Sequence, residues 1–459
     1  MRRVAYTSIL LLILKATGAL AQELTLPYLE SVYQSTYVNP TADPDHKYSI
    51  GLPGISSLRL GAVNTGFTLN QLISQRTNET LHLSTDQLMG ALGNRNYLAV
   101  NAGVDLFHFR MKAKNTFYSF HIKEHADVRF SYPKALFALA LEGNAPYVGE
   151  RMDFSSLNIS ATHYREYAIN FYKAPEDSKL SYGASFKFLQ GMSNVHLRNR
   201  GFYLYTDNDM YSLEAYANGS LNTSYPPSFI EGENDQEFNP AGYFTNFSNN
   251  GFGTDLGASY KVNNRLTFSA SVLNLGFIRW RSNVRNYRAN GTVTYEGVDF
   301  FNPPDEDNFL DSLYKLTNYE ETTDNYTTWL VPQMYLTSRY KLSNRTEAGL
   351  SFYFDYYQTI RPGLTLSLSQ KAGRFFQGVL TYSAMYRTFD NIGFALMFKP
   401  GPVQFYIAGE NTFRTWTQLE TDDFAIVAPF NAKFITIRTG INIVLKKIKS
   451  QDRLPVPNQ

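Results

Sequence analysis

Cysteine is absent from the 459 residues. That excludes a lipid-anchored lipoprotein, thiol chemistry, thiolate metal sites and disulfide staples. Long apolar runs are missing as well: no window holds the ~20 continuous apolar residues of a membrane-spanning helix. Net charge is close to nil. The formal charge is +2, and removing an amino-terminal segment that contains Arg2, Arg3 and Lys15 and no acid takes it to −1. Nucleic-acid binding therefore loses its usual electrostatic support. Tryptophan is scarce, at 3 residues against 33 Tyr and 34 Phe. Helical blocks and breaks in composition are also lacking, so a length that would ordinarily suggest two or three domains reads as one large all-β unit.

What is present is a rhythm of two. Between Asn344 and Lys447, Ala348, Leu350, Phe352, Phe354 and Tyr356 alternate with Gly349, Ser351, Tyr353 and Asp355. Leu364, Leu366 and Leu368 alternate with Thr365, Ser367 and Ser369, and the pattern returns over 380–386, 392–398 and 435–445. Period two means strands with one apolar face. Alternation alone fits a soluble sandwich as well as a membrane barrel. Length separates them, because these strands run to ~9 to 14 residues, the reach of a tilted strand across a bilayer, against ~5 to 6 for most soluble strands. Aromatics at 15% suit girdles at two membrane interfaces, and a mean hydropathy of −0.30 suits strands that spend half their positions on a polar interior. The expected fold is an all-β transmembrane antiparallel barrel of about 14 strands with a plug-like segment at its amino terminus.

The greasy run Val4 to Leu14, preceded by Arg2 and Arg3 and followed by Ala19-Leu20-Ala21, reads as a signal peptide over residues 1–21. Over 22–95 the alternation is weak and Pro and Gly punctuate often, as at Asn39-Pro40 and Pro53-Gly54. This segment is expected in the barrel as a plug or at its periplasmic mouth, with Asn39, Pro40, Pro53 and Gly54 as candidates; a first hairpin plus loop is the plainer alternative. Ser84 is a plausible N-cap for a short helix through Leu92, stopped by Gly93. The barrel is expected over 96–447 and a polar tail over 448–459.

Tyr97 to Ala113 and Phe117 to Tyr132 form the first clear hairpin. In its second arm His121, Lys123, His125, Asp127 and Arg129 share one face, a row that cannot face lipid. It lines a solute path or simply makes a salt-bridged interior. Opposite lie Tyr118, Phe120, Ile122, Ala126, Val128 and Phe130, with Glu124 expected near a rim. Further strands are expected at 156–161, 164–173, 180–189, 253–262, 265–280 and 326–342, with less regular pieces over 193–218 and 283–296. Three polar stretches, Gly219 to Gly251, Gly297 to Asn325 with a short helix at Phe309 to Leu316, and Asn411 to Asn431, are candidates for long outer loops.

Little in the chain points to catalysis. His121-Ile122-Lys123-Glu124-His125 matches the letters of an inverted zinc-protease motif, but on a strand the two His Cβ atoms stand about 13 Å apart. No G-x-S-x-G elbow, phosphate-binding Gly loop or EF-hand loop appears. A non-enzyme without metal or cofactor is expected.

Asn39-Pro40-Thr41-Ala42, Gly51-Leu52-Pro53-Gly54-Ile55-Ser56-Ser57, Phe117 to Pro133, 401–406 and 439–444 resemble an uncharacterised family of outer-membrane barrels of Bacteroidota, similar in turn to long-chain fatty acid transporter-type barrels. The resemblance implies about 14 strands, an amino-terminal segment in or near the lumen, and no enzymatic activity. It extends to barrels that assist type IX secretion, which have a similar early Asn-Pro segment. Where many such barrels end on an aromatic residue, this chain adds Lys446 to Gln459. Two functions follow as expectations: passive transport of a hydrophobic or amphipathic, lipid-like solute across the outer membrane of a Gram-negative bacterium, or a structural barrel docking a periplasmic or secretion-complex partner. Outer-membrane lipid is the one partner common to both.

Overall fold

The computed structural model describes residues 23–447 apart from 76–80, 176–177, 210, 227–238, 296–319, 358, 386–387, 414–415, 422–423 and 430. The expected signal peptide, the tail 448–459 and the helix expected at Phe309 to Leu316 lie outside the described residues.

Fourteen antiparallel strands close into a barrel. The wall runs β1 (His46–Gly51 and Leu58–Asn64), β2 (Arg95–Ala113), β3 (Thr116–Pro133), β4 (Asn158–Lys173), β5 (Leu180–Thr206), β6 (Asn250–Lys261) and β7 (Leu266–Trp280). It continues through β8 (Tyr326–Trp329 and Gln333–Lys341), β9 (Thr346–Tyr357), β10 (Thr359–Ala372), β11 (Phe376–Met385), β12 (Thr388–Phe398), β13 (Val403–Glu410) and β14 (Phe434–Lys447). β14 pairs back onto β1, Tyr48 with Leu445 and Leu58 with Thr439, which closes the circle. Lipid offers no hydrogen bonds, so a spanning sheet has to close in this way.

Side-chain alternation decides which face is which. Leu366 and Leu380 are 54% and 55% exposed, whereas their neighbours Thr365 and Thr381 are 1% and 2% exposed. The apolar face is outside and the Ser/Thr face inside, the inverse of a soluble sandwich. At one end the turns are short: 114–115, 174–179, 262–265, 342–345, 373–375 and 399–402. At the other, most connections are long, which marks the outer side. There β5 outgrows the wall and pairs with Leu213–Ser224, which pairs with Val284–Tyr295, a sheet projecting beyond the barrel.

Several expectations shift. The wall begins at His46, not 96, because β1 pairs with β14 and β2 on both sides of its interruption at 52–57. The Pro53-Gly54 punctuation is tolerated there as a bulge: Gly54 has φ 73° and its N–H donates to the Asp105 carbonyl at 3.0 Å. Pro53 and Gly54 thus belong to the wall. Stretches 156–161 and 164–173 merge into β4, with a register shift at His163/Tyr164, and 326–342 splits at Leu330 to Pro332. The stretch from Gly219 begins as strand rather than loop. Ser84 does precede a helix, Thr85–Ala91. Glu124 faces outward, bonded to Arg165 at 2.7 Å and His163 at 2.9 Å, and is screened from lipid by the helix Pro240–Thr245, whose Tyr243 hydroxyl meets His163 at 2.7 Å.

Leu380 sits midway along β11 and faces lipid. Leu380→Arg is expected to cost about 2–4 kcal/mol of folding stability, measured by urea unfolding in lipid vesicles, whereas Leu380→Phe is expected to be near neutral.

Candidate functional site

The interior is built around residues 23–45, which contact inward-facing side chains from Arg110 near the short-turn end to Glu410 and Phe434 near the other. Leu24, Leu26 and Val38 pack with inward-facing Val63, Ala99, Leu273, Tyr335, Tyr353, Met385 and Phe434. Tyr28, Leu29 and Val32 pack with Val379, Ala395, Met397, Tyr406 and Ala408. An inner apolar core thus coexists with the lipid-facing one. Wall polar groups satisfy the segment's backbone: Gln404 donates to the Ser31 carbonyl at 2.8 Å, Gln377 to Tyr28 at 3.2 Å and Ser271 to Val38 at 2.6 Å. Gln34 bonds Asp105 at 3.2 Å and exchanges hydrogen bonds with Asn442 at 3.1 and 2.9 Å. A Cβ at Gly349 would lie 2.3 Å from the Tyr28 ring, so the wall is glycine where the segment presses closest.

Asn39 and Pro40 lie in this segment. The Asn39 carboxamide oxygen accepts from the Thr41 hydroxyl at 2.7 Å, and Pro40 rests against Gly183 and Gly257 of the wall. Glu23 pairs with Arg438 and, at 3.6 Å, with Arg59. Burial alone would raise the Glu23 pKa, but the two guanidinium groups, Arg438 foremost, outweigh it and hold the carboxyl below its ordinary value.

All five residues of the charged row, His121, Lys123, His125, Asp127 and Arg129, point inward, and their centre of gravity is Glu166 of β4. Its carboxylate lies 2.8 Å from His121 Nε2, 3.0 Å from Lys123 Nζ, 3.4 Å from Lys187 Nζ and 3.6 Å from His125 Nε2. The two histidines of the zinc-like motif meet this carboxylate, while Glu124 points away to the other face. Arg129 and Asp127 pair separately at 3.6 Å. Lys123 also lies 3.9 Å over the Tyr37 ring, tying the row to the amino-terminal segment.

The network continues to a break in the wall. Lys187 bonds Asp255 at 2.8 Å and the Asn274 carboxamide at 3.0 Å, and Asp255 accepts from the Asn274 backbone N–H at 2.7 Å. Asn274 is left-handed, φ 60°, a conformation Asn tolerates better than most. Here β7 bulges against β6, and opposite it β8 is interrupted at Leu330 to Pro332. Pro332 has no N–H to offer. Tyr326–Trp329 pairs only with β7 among the described residues. Gly276 admits the close backbone approach of Phe252, where a Cβ would lie 2.6 Å from the Phe252 carbonyl oxygen.

Two cavities meet at this break. A polar lumen cavity of ≈ 150 Å³ touches Glu23, Lys123, His125, Asp127, Arg129 and Glu166. A second, of ≈ 1070 Å³, is lined by inward His196 and Asn274 and by outward Phe252, Leu275, Phe277 and Trp329. Both linings include Asn274, Thr328, Trp329, Leu330 and Val331, so the spaces adjoin. Trp329 is 73% exposed and Phe252 60%. Sequence reading missed Glu166, Lys187, Asp255 and Asn274. Lys187 and Asp255 are lone charges at inward positions of otherwise uncharged stretches, a signal that period-two registration could have found, whereas Glu166 follows Arg165 and carries no such signal. The break had only a weak signal, the Val331-Pro332 step inside an apolar run.

Glu166 faces two buried ammonium groups, Lys123 and Lys187, and removing it leaves Lys187 with Asp255 but takes the carboxylate from Lys123. Glu166→Gln is expected to destabilise the barrel by about 3–5 kcal/mol in urea titrations, far more than removal of an exposed pair such as Arg288 with Glu320.

A family model, described as a family of unknown function (DUF5723), matches residues 40–409. A search of curated proteins returns no match. Among solved structures, the chain is similar in shape to the Pseudomonas putida toluene transporter TodX, at 7% identity and TM-score 0.41, covering 93% of this chain and 98% of that one. It is also similar to a Pseudomonas aeruginosa FadL homologue, at 10% identity and TM-score 0.42 over 93% and 98% of the two chains. The Ralstonia pickettii toluene transporter TbuX matches at 7% identity and TM-score 0.40 over 89% and 92%. With a family model spanning most of its length, the chain belongs to the family of unknown function DUF5723.

Proposed function

We propose that this outer-membrane barrel is a passive transporter for a hydrophobic or amphipathic solute, with residues 23–45 as its plug and the break at Asn274 and Leu330 to Pro332 as a lateral doorway. The observation that carries this reading is the adjoining pair of cavities, one apolar toward lipid and one polar toward the lumen. A solute with an apolar body and a polar head finds both environments within one passage: Trp329, Leu275 and Phe277 for the body, His125, Lys123 and Arg129 for the head. A hydrophobic solute gains little from an aqueous bore, and a gap in the wall lets it pass from the lumen into the bilayer core without recrossing water.

The plug assignment rests on the inner apolar core. Withdrawing Leu24 to Val38 would expose the inward residues they pack against and leave a channel. A structural docking barrel is the second reading, favoured by how fully the segment and the Glu166 network occupy the interior. Deleting residues 22–45 is expected to give discrete conductance steps in planar bilayers, while the full mature chain stays nearly silent. A correctly folded deletion variant that remains sealed would overturn the plug and shift the balance to the docking barrel.

A further inference from the structure

We propose that the short-turn rim of the barrel is a binding collar for the anionic headgroups of the periplasmic phospholipid leaflet. The proposal rests on the orientation read above, with short turns periplasmic, and not on transport.

Charge on this chain is segregated, although its sum is almost zero. Every one of the short turns carries a cation at or beside it, Lys114, then Lys173 and Lys179, then Arg265, Arg345, Arg374 and Lys399, and within these turns the sequence has acids only at Glu176 and Asp177. Lys446 adds another at the end of β14. Lys114, Lys173, Arg265, Arg345 and Arg374 are exposed. In sequence, two of the long connections have the opposite sign. Segment 225–249 holds Glu231, Glu233, Asp235 and Glu237 and no basic residue, and segment 296–325 holds nine acids against Lys315 alone.

The cations lie beside exposed aromatic rings. Tyr260 precedes Lys261, Tyr340 precedes Lys341, Phe398 precedes Lys399 and Phe375 follows Arg374, and these rings are 47%, 41%, 50% and 44% exposed. The Arg374 guanidinium sits 4.9 Å over the Phe375 ring, and Lys446 Nζ 5.8 Å over that of Tyr48. Exposed rings at strand ends mark headgroup depth. A basic group one residue further out is at the level of the lipid phosphates, where it can donate to them while its stem lies against the ring.

The distribution selects the partner. A periplasmic protein would meet one arc of the rim, and cations would then cluster on one or two turns. Here they are dealt to every turn around the perimeter, as a ligand that surrounds the barrel requires. Anionic lipid is such a ligand.

The test uses the full mature chain in phosphatidylcholine bilayers with a trace of spin-labelled phosphatidylglycerol or, separately, spin-labelled phosphatidylcholine. Electron paramagnetic resonance reads the fraction of each label immobilised at the barrel surface. Phosphatidylglycerol is expected to be preferred about three- to tenfold at low salt, and the preference to fall towards unity at high salt as the charges are screened. A variant combining Lys114→Gln, Lys173→Gln, Arg265→Gln, Arg345→Gln and Arg374→Gln is expected to lose most of the preference while keeping the heat-modifiable gel mobility of a folded barrel. Should that variant fail to fold, the salt titration of the unaltered protein still decides. Equal immobilisation of the two lipids, or a preference that survives the five substitutions, would overturn the collar. So would an acidic periplasmic protein captured through these residues in the absence of any lipid preference. A sealed plug-deletion variant would leave these outcomes untouched.

Discussion

Everything in this molecule depends on one constraint: a sheet that crosses lipid has to pair every backbone N–H and C=O with itself, and so it must close. β14 meeting β1 meets that demand. Lapses in pairing are repaired locally or lie against polar groups of the interior. At the 52–57 interruption, Gly54 and Ser57 bond Asp105 from one side and Ile55 accepts from Ile441 at 2.8 Å on the other. At the break in β8, the Leu330 N–H reaches the Gly276 carbonyl at 2.9 Å and the Tyr356 N–H reaches Pro332 at 3.2 Å. The wall stays satisfied around a gap in its pairing, and the gap is where the two cavities adjoin.

Closure creates an inside that has to be filled. Small inward side chains such as Ser367, Ser369 and Thr381 leave room, and residues 23–45 occupy it with apolar residues facing the wall's inward Val, Ala and Tyr. Buried charge follows from the same geometry. Inward positions cannot reach bulk water, so Lys123 and Lys187 persist only because Glu166 and Asp255 stand opposite. One consequence is mechanical: Lys187 and Asp255 grip Asn274, so the lumen network is physically joined to the edge of the wall break.

Much of the fold was legible from period two, because that signal reports which face meets lipid and lipid tolerates few exceptions. The strands from Thr346 to Phe398 and at 434–447 stand close to where alternation places them, and the inward row from His121 to Arg129 follows from charge alone. The amino-terminal part was harder to read. β1 is short, interrupted by Pro53-Gly54 and supported from both sides by partners distant in sequence, so its membership in the wall depends on pairing that local rhythm cannot express. The network joining Glu166, Asp255 and Asn274 was not legible for a related reason: each matters through a neighbour on another strand, and register between strands is not written within any one of them.

The most direct measurement exploits the absence of cysteine. Single cysteines placed from Leu350 to Tyr356 can be spin-labelled in bilayers and their collisions with dissolved oxygen compared with those of a water-soluble nickel chelate. A closed wall with lipid outside predicts oxygen maxima at 350, 352, 354 and 356 and low oxygen access at 351, 353 and 355. Flat accessibility along the strand, or shielding of the even positions that does not change between bilayer and aqueous buffer, would contradict it.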